Sequence, residues 1–225
     1  LDPAGPPAFE PRRLQRATLN DEVYRELRRA IMAGSVQPGQ AMTIRSLAAS
    51  FGVSLMPVRE ALGRLVAEHV LELRPNRSVA VPVLHRARFR EITRIRVALE
   101  GLAAEEGTAQ IADGEIRRMT ELNARMEDIA VAPTPEALED NRRFHFALYR
   151  AAGMPTLMAL IESLWLQIGP LLSFHMRELA LVPQPVLVHH RRALDGLARR
   201  DGDVVRAAII ADIEDAAENI ATRLD

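Results

Sequence analysis

Four side chains in the C-terminal part of the sequence have types and spacings suited to holding a divalent cation. Between residues 135 and 152 the row Leu138, Asn141, His145, Leu148, Ala152 steps by three and four. A helix there places Asn141 and His145 on one face, a turn apart. The row Val186, Leu187, His190, Leu194, Leu197 turns His190 inward, and Val205, Ala208, Ile209, Asp212, Ala216, Ile220 does the same for Asp212. An unpaired carboxylate in such a row is very costly, so Asp212 must meet a partner. Two His, one Asp and one Asn converging from three helices can ligate one divalent cation, with water or ligand oxygens completing the shell. The same residues also fit a metal-free core in which each His is satisfied locally and Asp212 pairs with an Arg.

A buried-side arginine stands nearby in pattern. Arg96 lies in the row Phe89, Ile92, Arg96, Leu99, Ala103. Its planar fork takes two carboxylate oxygens at once, so it suits the acid group of a bound small molecule. The alternative is a structural salt bridge with a carboxylate such as Asp212. Trp165, His175 and Arg177 fall on one long helical stretch and are placed to line the same cavity.

The elements that must position these groups are all helical. From residue 86 onward the periodicity predicts helices over 86–107, 113–130, 135–152, 156–180, 184–200 and 203–224. Thr134-Pro135-Glu136 reads as a helix start, and Gly153 with Pro155 as a stop. Upstream, Val23, Leu27 and Ile31 recur at four-residue steps until Gly34. A short helix from about Arg45 to Phe51 follows, then a Gly52 break, then a helix to about Glu68 with Ser54 as its cap and Pro57 in its first turn. Val70–Leu73 and Ser78–Val83 read as two β-runs around the turn Arg74-Pro75-Asn76-Arg77. Three helices and a small basic-tipped hairpin form a winged helix-turn-helix pattern. The division is a disordered arm over 1–17, a winged helix-turn-helix over 18–83, and an all-α bundle over 84–225. The fold class is mainly α with one small β-hairpin wing.

Composition narrows the function classes. The 225 residues are 48% hydrophobic and 26% charged, and no cysteine is present, so disulfides and thiolate metal sites are excluded. No apolar run approaches the roughly 20 residues that span a bilayer, and the N-terminal stretch has no apolar signal region. No membrane association and a cytoplasmic location are therefore expected. All 29 basic residues are Arg. Residues 1–82 hold eleven Arg against eight acids, while the remainder is acidic overall, which assigns any polyanion to the N-terminal part.

The helix from Leu55 buries Val58, Ala61, Leu62 and Leu65 and presents Leu55, Met56, Arg59 and Gly63 on its other face. Arg59 is placed for a bidentate contact to guanine, and Arg45 and Arg77 for backbone or minor groove. A small helical bundle with surface arginines is the alternative. The stretch TLNDEVYRELRRAIMAGSVQPGQAMTIRSLAASFGVSLMPVREALGRLVAEHVLELRPNRSVAV resembles the winged helix-turn-helix domain of GntR-family bacterial transcription regulators. Ser54 and Pro57 to Leu62 match the family signature Ser-Arg-Thr-Pro-Val-Arg-Glu-Ala-Leu. The resemblance implies DNA contacts from Arg45, Ser54, Leu55, Met56, Arg59 and the wing turn Asn76, Arg77, Ser78. Leu55 and Met56 replace the frequent Arg-Thr pair, so one cation is lost, while apolar side chains there can pack on thymine methyls.

RVALE, NRRFHFALYRAAG and HRRALDGLARRD resemble the FCD ligand-sensing domain of the FadR subfamily over nearly all of residues 86–222. That resemblance implies a metal site at Asn141, His145, His190 and Asp212, with Asn in place of the family's Asp and Asp in place of its last His. Zinc, nickel or manganese is the expected metal, and the resemblance implies organic acids, sugar acids, amino acids or acyl compounds as effectors; Arg96 would then hold the acid group, with His175 and Arg177 lining the same cavity. It also implies a homodimer on a pseudo-palindromic double-stranded DNA operator, and no enzyme. The rival readings are a DNA-binding dimer whose helical part only dimerises, and a metal-dependent hydrolase or lyase.

Overall fold

A computed structural model describes residues 19–75, 78–128, 135–179, 186–222 and 224, and only the backbone at 128, 135–136, 172–179 and 186. The arm expected over 1–17 and the wing residues Asn76 and Arg77 lie outside the described residues.

Helix α1 (Leu19–Met32) buries Val23, Tyr24, Leu27 and Ile31, the four-residue rhythm read from the sequence. Helix α2 (Ile44–Phe51) starts on a reciprocal cap: the Ser46 N–H donates to Thr43 Oγ1 over 3.1 Å, and the Thr43 N–H to Ser46 Oγ over 3.4 Å. It ends at Gly52, whose φ of 65° is left-handed backbone that glycine adopts without strain. Helix α3 (Leu55–Ala67) packs Val58, Ala61, Leu62 and Leu65 inward. Ser54 precedes it at the cap position, but contrary to expectation its side chain accepts no capping hydrogen bond.

Among the described residues the sheet has three strands rather than two. β1 (Ala41–Met42) and β2 (Glu72–Leu73) both pair antiparallel with β3 (Val79–Ala80), in the order β1-β3-β2. Two residues are too few to show an alternating pattern, so β1 left no periodic trace in the sequence. Ser78, expected at the exposed wing tip, is only 2% exposed. Its carbonyl accepts the Arg74 N–H, so it closes the hairpin instead of facing outward.

Six helices follow: α4 (Arg86–Gln110), α5 (Asp113–Asp128), α6 (Pro135–Ala151), α7 (Pro155–Leu179), α8 (Val186–Ala198) and α9 (Gly202–Ala221). α4 runs three residues beyond the predicted end, through Gly107, which reads in sequence as a helix-weakening residue but is a packing residue here. Its missing side chain lets α4 rest on the backbone of Leu148 in α6. α9 is capped by Asp201, which accepts from the Val204 N–H at 3.1 Å. No helix among the described residues is long and apolar enough to cross a membrane.

α7 belongs to both cores. Ile161 and Trp165 face the C-terminal core, and Leu166 packs among Val23, Tyr24, Leu27 and Ile31 in the N-terminal one. Gly169 lies so close to α1 that an added Cβ would stand 3.1 Å from Met32 Cα. Glu162, on the same side, pairs with Arg28 at 3.1 Å.

Gly107→Ala places a methyl group against the Leu148 carbonyl oxygen and is expected to destabilise the fold by about 1–3 kcal/mol. Gly63→Ala, with open space around it, is expected to gain about 0.5–1 kcal/mol from helix propensity. Denaturant melts of the two variants check the pair, and equal effects would refute the close α4–α6 approach.

Candidate metal centre and nucleic-acid face

His145 on α6, His190 on α8 and Asp212 on α9 converge as their rows predict. The two Nε2 atoms are 3.3 Å apart, His145 Nε2 is 3.3 Å from Asp212 Oδ2, and His190 Nε2 is 3.8 Å from Asp212 Oδ1. Nitrogens bound 2.0–2.1 Å from a tetrahedral zinc lie about 3.3 Å from each other, so the spacing suits a common cation. Both rings are buried, and the Asp212 side chain is 12% exposed. Phe144 stacks on the His190 ring, with centroids 4.1 Å apart, and holds its plane. Asn141 is half-buried one turn before His145.

The orientation of His145 is set from behind. The Tyr149 hydroxyl lies 2.7 Å from Glu100 Oε2 and 3.2 Å from His145 Nδ1. A phenol has one proton, and the nearer, charged acceptor takes it, so the hydroxyl oxygen accepts Nδ1–H from His145. Nε2 then faces Asp212 either protonated or as a bare lone pair, and a lone pair against a carboxylate needs a cation between them. This is the outer-shell arrangement that orients ligating histidines. The donor set fits a divalent cation.

Electrostatics favour the ligating forms. Burial pushes His190 down to about 4, so it is neutral near pH 7. Burial alone raises the Asp212 carboxyl, but the hydrogen bond to His145 and the adjacent imidazoles outweigh it and hold it below the usual range. Burial and the neighbouring Glu100 raise Tyr149 well above an ordinary phenol, which keeps its proton in place.

Arg96 meets a different carboxylate from the one expected as its structural partner. Its Nε donates to Glu100 Oε1 at 2.6 Å and its Nη2 to Glu100 Oε2 at 3.3 Å, one turn along α4, and no ion pair joins it to Asp212. The guanidinium also lies over the Trp165 ring, 5.0 Å from its centroid. Glu100 and Tyr149 were not singled out from the sequence. The signal was there: each follows a polar residue of an apolar row by four. An outer layer steadies α8, where Arg191 donates to Glu127 at 2.7 Å and Asn123 donates to the same oxygen at 2.6 Å. The side chains of His175 and Arg177 lie outside the described residues.

On the N-terminal domain, Leu55 and Met56 are 45% and 59% exposed at the start of α3. Arg59, one turn on, and Arg45, in the first turn of α2, are exposed and join no ion pair among the described residues. Ser54, with no capping bond, leaves its hydroxyl available beside them.

Residues 19–81 match the family described as bacterial regulatory proteins, gntR family, and residues 91–215 match the FCD domain. This chain belongs to the GntR family of transcription regulators. Among its relatives is the HTH-type transcriptional regulator McbR of Escherichia coli K12, 30% identical over 72% of this chain and 74% of that protein. The HTH-type transcriptional repressor RspR of the same strain is 26% identical over 90% of this chain and 89% of its own length. The solved structure of E. coli McbR/YncC superposes with a TM-score of 0.84 at 25% identity, covering 92% of this chain and 99% of that one. A GntR-type regulator from Rhodococcus sp. RHA1, 20% identical, shares the fold with a TM-score of 0.76 over 92% of this chain and 99% of its own. This GntR-family chain is a regulator, not an enzyme, with a DNA-binding helix-turn-helix domain and an FCD ligand-binding domain.

Glu100→Gln leaves the buried Arg96 charge uncompensated and is expected to destabilise the protein by about 3–5 kcal/mol. Urea unfolding measures this, and a loss below about 1 kcal/mol would contradict a buried ion pair here.

Proposed function

We propose that this regulator works in the cytoplasm as a homodimer whose FCD domain holds a divalent cation and binds a small carboxylate, and that this binding alters operator affinity. The observation that carries the reading is the convergence of His145, His190 and Asp212 ligand atoms within 4.8 Å of one another. Asn141 would add a neutral carbonyl oxygen. The all nitrogen-and-oxygen donor set suits zinc, nickel or manganese. When bound, the cation supplies a positive centre for an acid oxygen. Arg96 commits two of its five N–H groups to Glu100, and the others are left for the ligand. His175 and Arg177 stay candidates for the same ligand.

In this reading residues 18–83 contact DNA and 84–225 sense and dimerise. Arg59 contacts a base, Leu55 and Met56 pack on thymine methyls, and Arg45, Ser54 and the wing turn at Asn76 and Arg77 hold the backbone. A two-fold dimer requires half-sites of matching orientation, hence a pseudo-palindromic duplex. The effector acts by preferring one placement of the DNA-binding domains, transmitted through the linker at residues 82–88 and through α7.

Two measurements test this. Chelator-treated protein titrated with zinc, nickel and manganese should show a saturable rise in melting temperature with at least one, lost in His190→Ala. No rise with any of them would favour a helical domain that only dimerises. Arg59→Ala should weaken operator binding by about 1–3 kcal/mol and relax preference at one position; unchanged affinity and preference would remove α3 from the DNA-reading role.

A further inference from the structure

Trp165 has an unmet need at the centre of the sensor. The indole is 5% exposed, and its Nε1–H donates to no group among the described residues. Its ring is surrounded by the groups of the candidate site: the His145 ring at 5.6 Å, the Phe146 ring edge-on at 5.2 Å, and the Arg96 guanidinium over its face at 5.0 Å. A buried donor without an acceptor carries its full desolvation penalty, and an indole nitrogen can only donate. Glu100 is already taken by Arg96 and Tyr149, and Asp212 faces the two histidines. The group that would satisfy this N–H is therefore an acceptor brought from outside, and beside a guanidinium and a cation the favoured acceptor is an anionic oxygen.

The next residue along α7 faces the other way. Leu166 is 1% exposed and packs among Val23, Tyr24, Leu27 and Ile31 of the DNA-binding domain. Consecutive residues are about 100° apart on a helix, so a turn of α7 that brings Trp165 towards a ligand must also move Leu166 against α1. Glu162 and Gly169 extend the same contact, through Arg28 and the backbone of Met32. Close packing lets little of such a displacement be absorbed in between.

We infer that Trp165 is the effector-reading residue, its indole N–H donating to a carboxylate oxygen of the ligand, and that α7 passes the resulting shift to the DNA-binding domain through Leu166. The inference rests on the carboxylate-effector reading above and adds to it the residue that reads the ligand and the contact that transmits it.

Trp165 is the sole tryptophan of the chain, so its emission reports the event directly. The full-length, zinc-loaded protein is titrated with acetate, lactate and citrate at constant ionic strength, following emission and calorimetric heat. At least one acid should bind saturably and change the emission. Trp165→Phe keeps an aromatic ring and removes the donor, and should bind that acid roughly tenfold or more weakly with unchanged zinc affinity. Leu166→Ala should bind the acid like the unsubstituted protein, while its operator affinity no longer responds to it. Equal acid affinity in Trp165→Phe overturns the inference and leaves the effector reading standing. Equal operator response in Leu166→Ala overturns the transmission step. Binding of none of the three acids to the unsubstituted protein sinks both the effector reading and this inference.

Discussion

The Arg96–Glu100 pair, 2.6 Å long and enclosed in the bundle, restricts what every polar neighbour can do. Held in place by Arg96, the Glu100 carboxylate accepts the hydrogen bond of the Tyr149 hydroxyl. That turns the Tyr149 oxygen into an acceptor for His145 Nδ1–H, and it fixes which ring nitrogen looks at Asp212. A chain of four residues from two helices thus determines how the His145 ring presents its Nε2. The low dielectric that makes such groups expensive alone strengthens each link when all are present. Replacing the ion pair by apolar residues of similar volume need not destabilise the bundle, but it would free the His145 tautomer.

The N-terminal core and the largest core of the bundle are not independent bodies strung on a linker. Met32, at the end of α1, packs against both, and α7 sends Leu157, Ile161 and Trp165 into the C-terminal core and Leu166 into the N-terminal one. An interface of this kind transmits strain as a change of packing, so small displacements in the bundle have a direct physical route to α1. The helix-turn-helix hangs from α1, and α3 packs on α1 in turn, with Val58, Ala61 and Leu62 in the same core. The placement of α3 is accordingly tied to α7 through a single intervening helix.

The helices were legible because their buried faces repeat over many turns, and the rows of α6, α8 and α9 turn His145, His190 and Asp212 towards a common point. What escaped had either too little length or the wrong kind of partner. β1 spans two residues, and Ser78 is buried by a hairpin closure that composition does not reveal. Glu100 was hidden in a motif read only for its family likeness. The pairing of Arg96 with it was a choice among carboxylates that periodicity cannot rank, since Asp212 and Glu100 both lie on inward faces. Ser54 shows the converse error: its position was right, but its hydroxyl does not take the capping bond that its residue type favours.

Leu55 and Met56 leave the tip of α3 apolar where the family signature has a cation. Every phosphate neutralised by a protein cation releases condensed counterions, and each such contact given up flattens the dependence of log affinity on log salt by about 0.9. If α3 reads DNA as proposed, a complex built on this tip would draw less of its strength from counterion release and more from the fit of two side chains to base methyl groups. Such a regulator would hold its site over a wider range of ionic strength, at the expense of tolerance for sequence changes under those two residues.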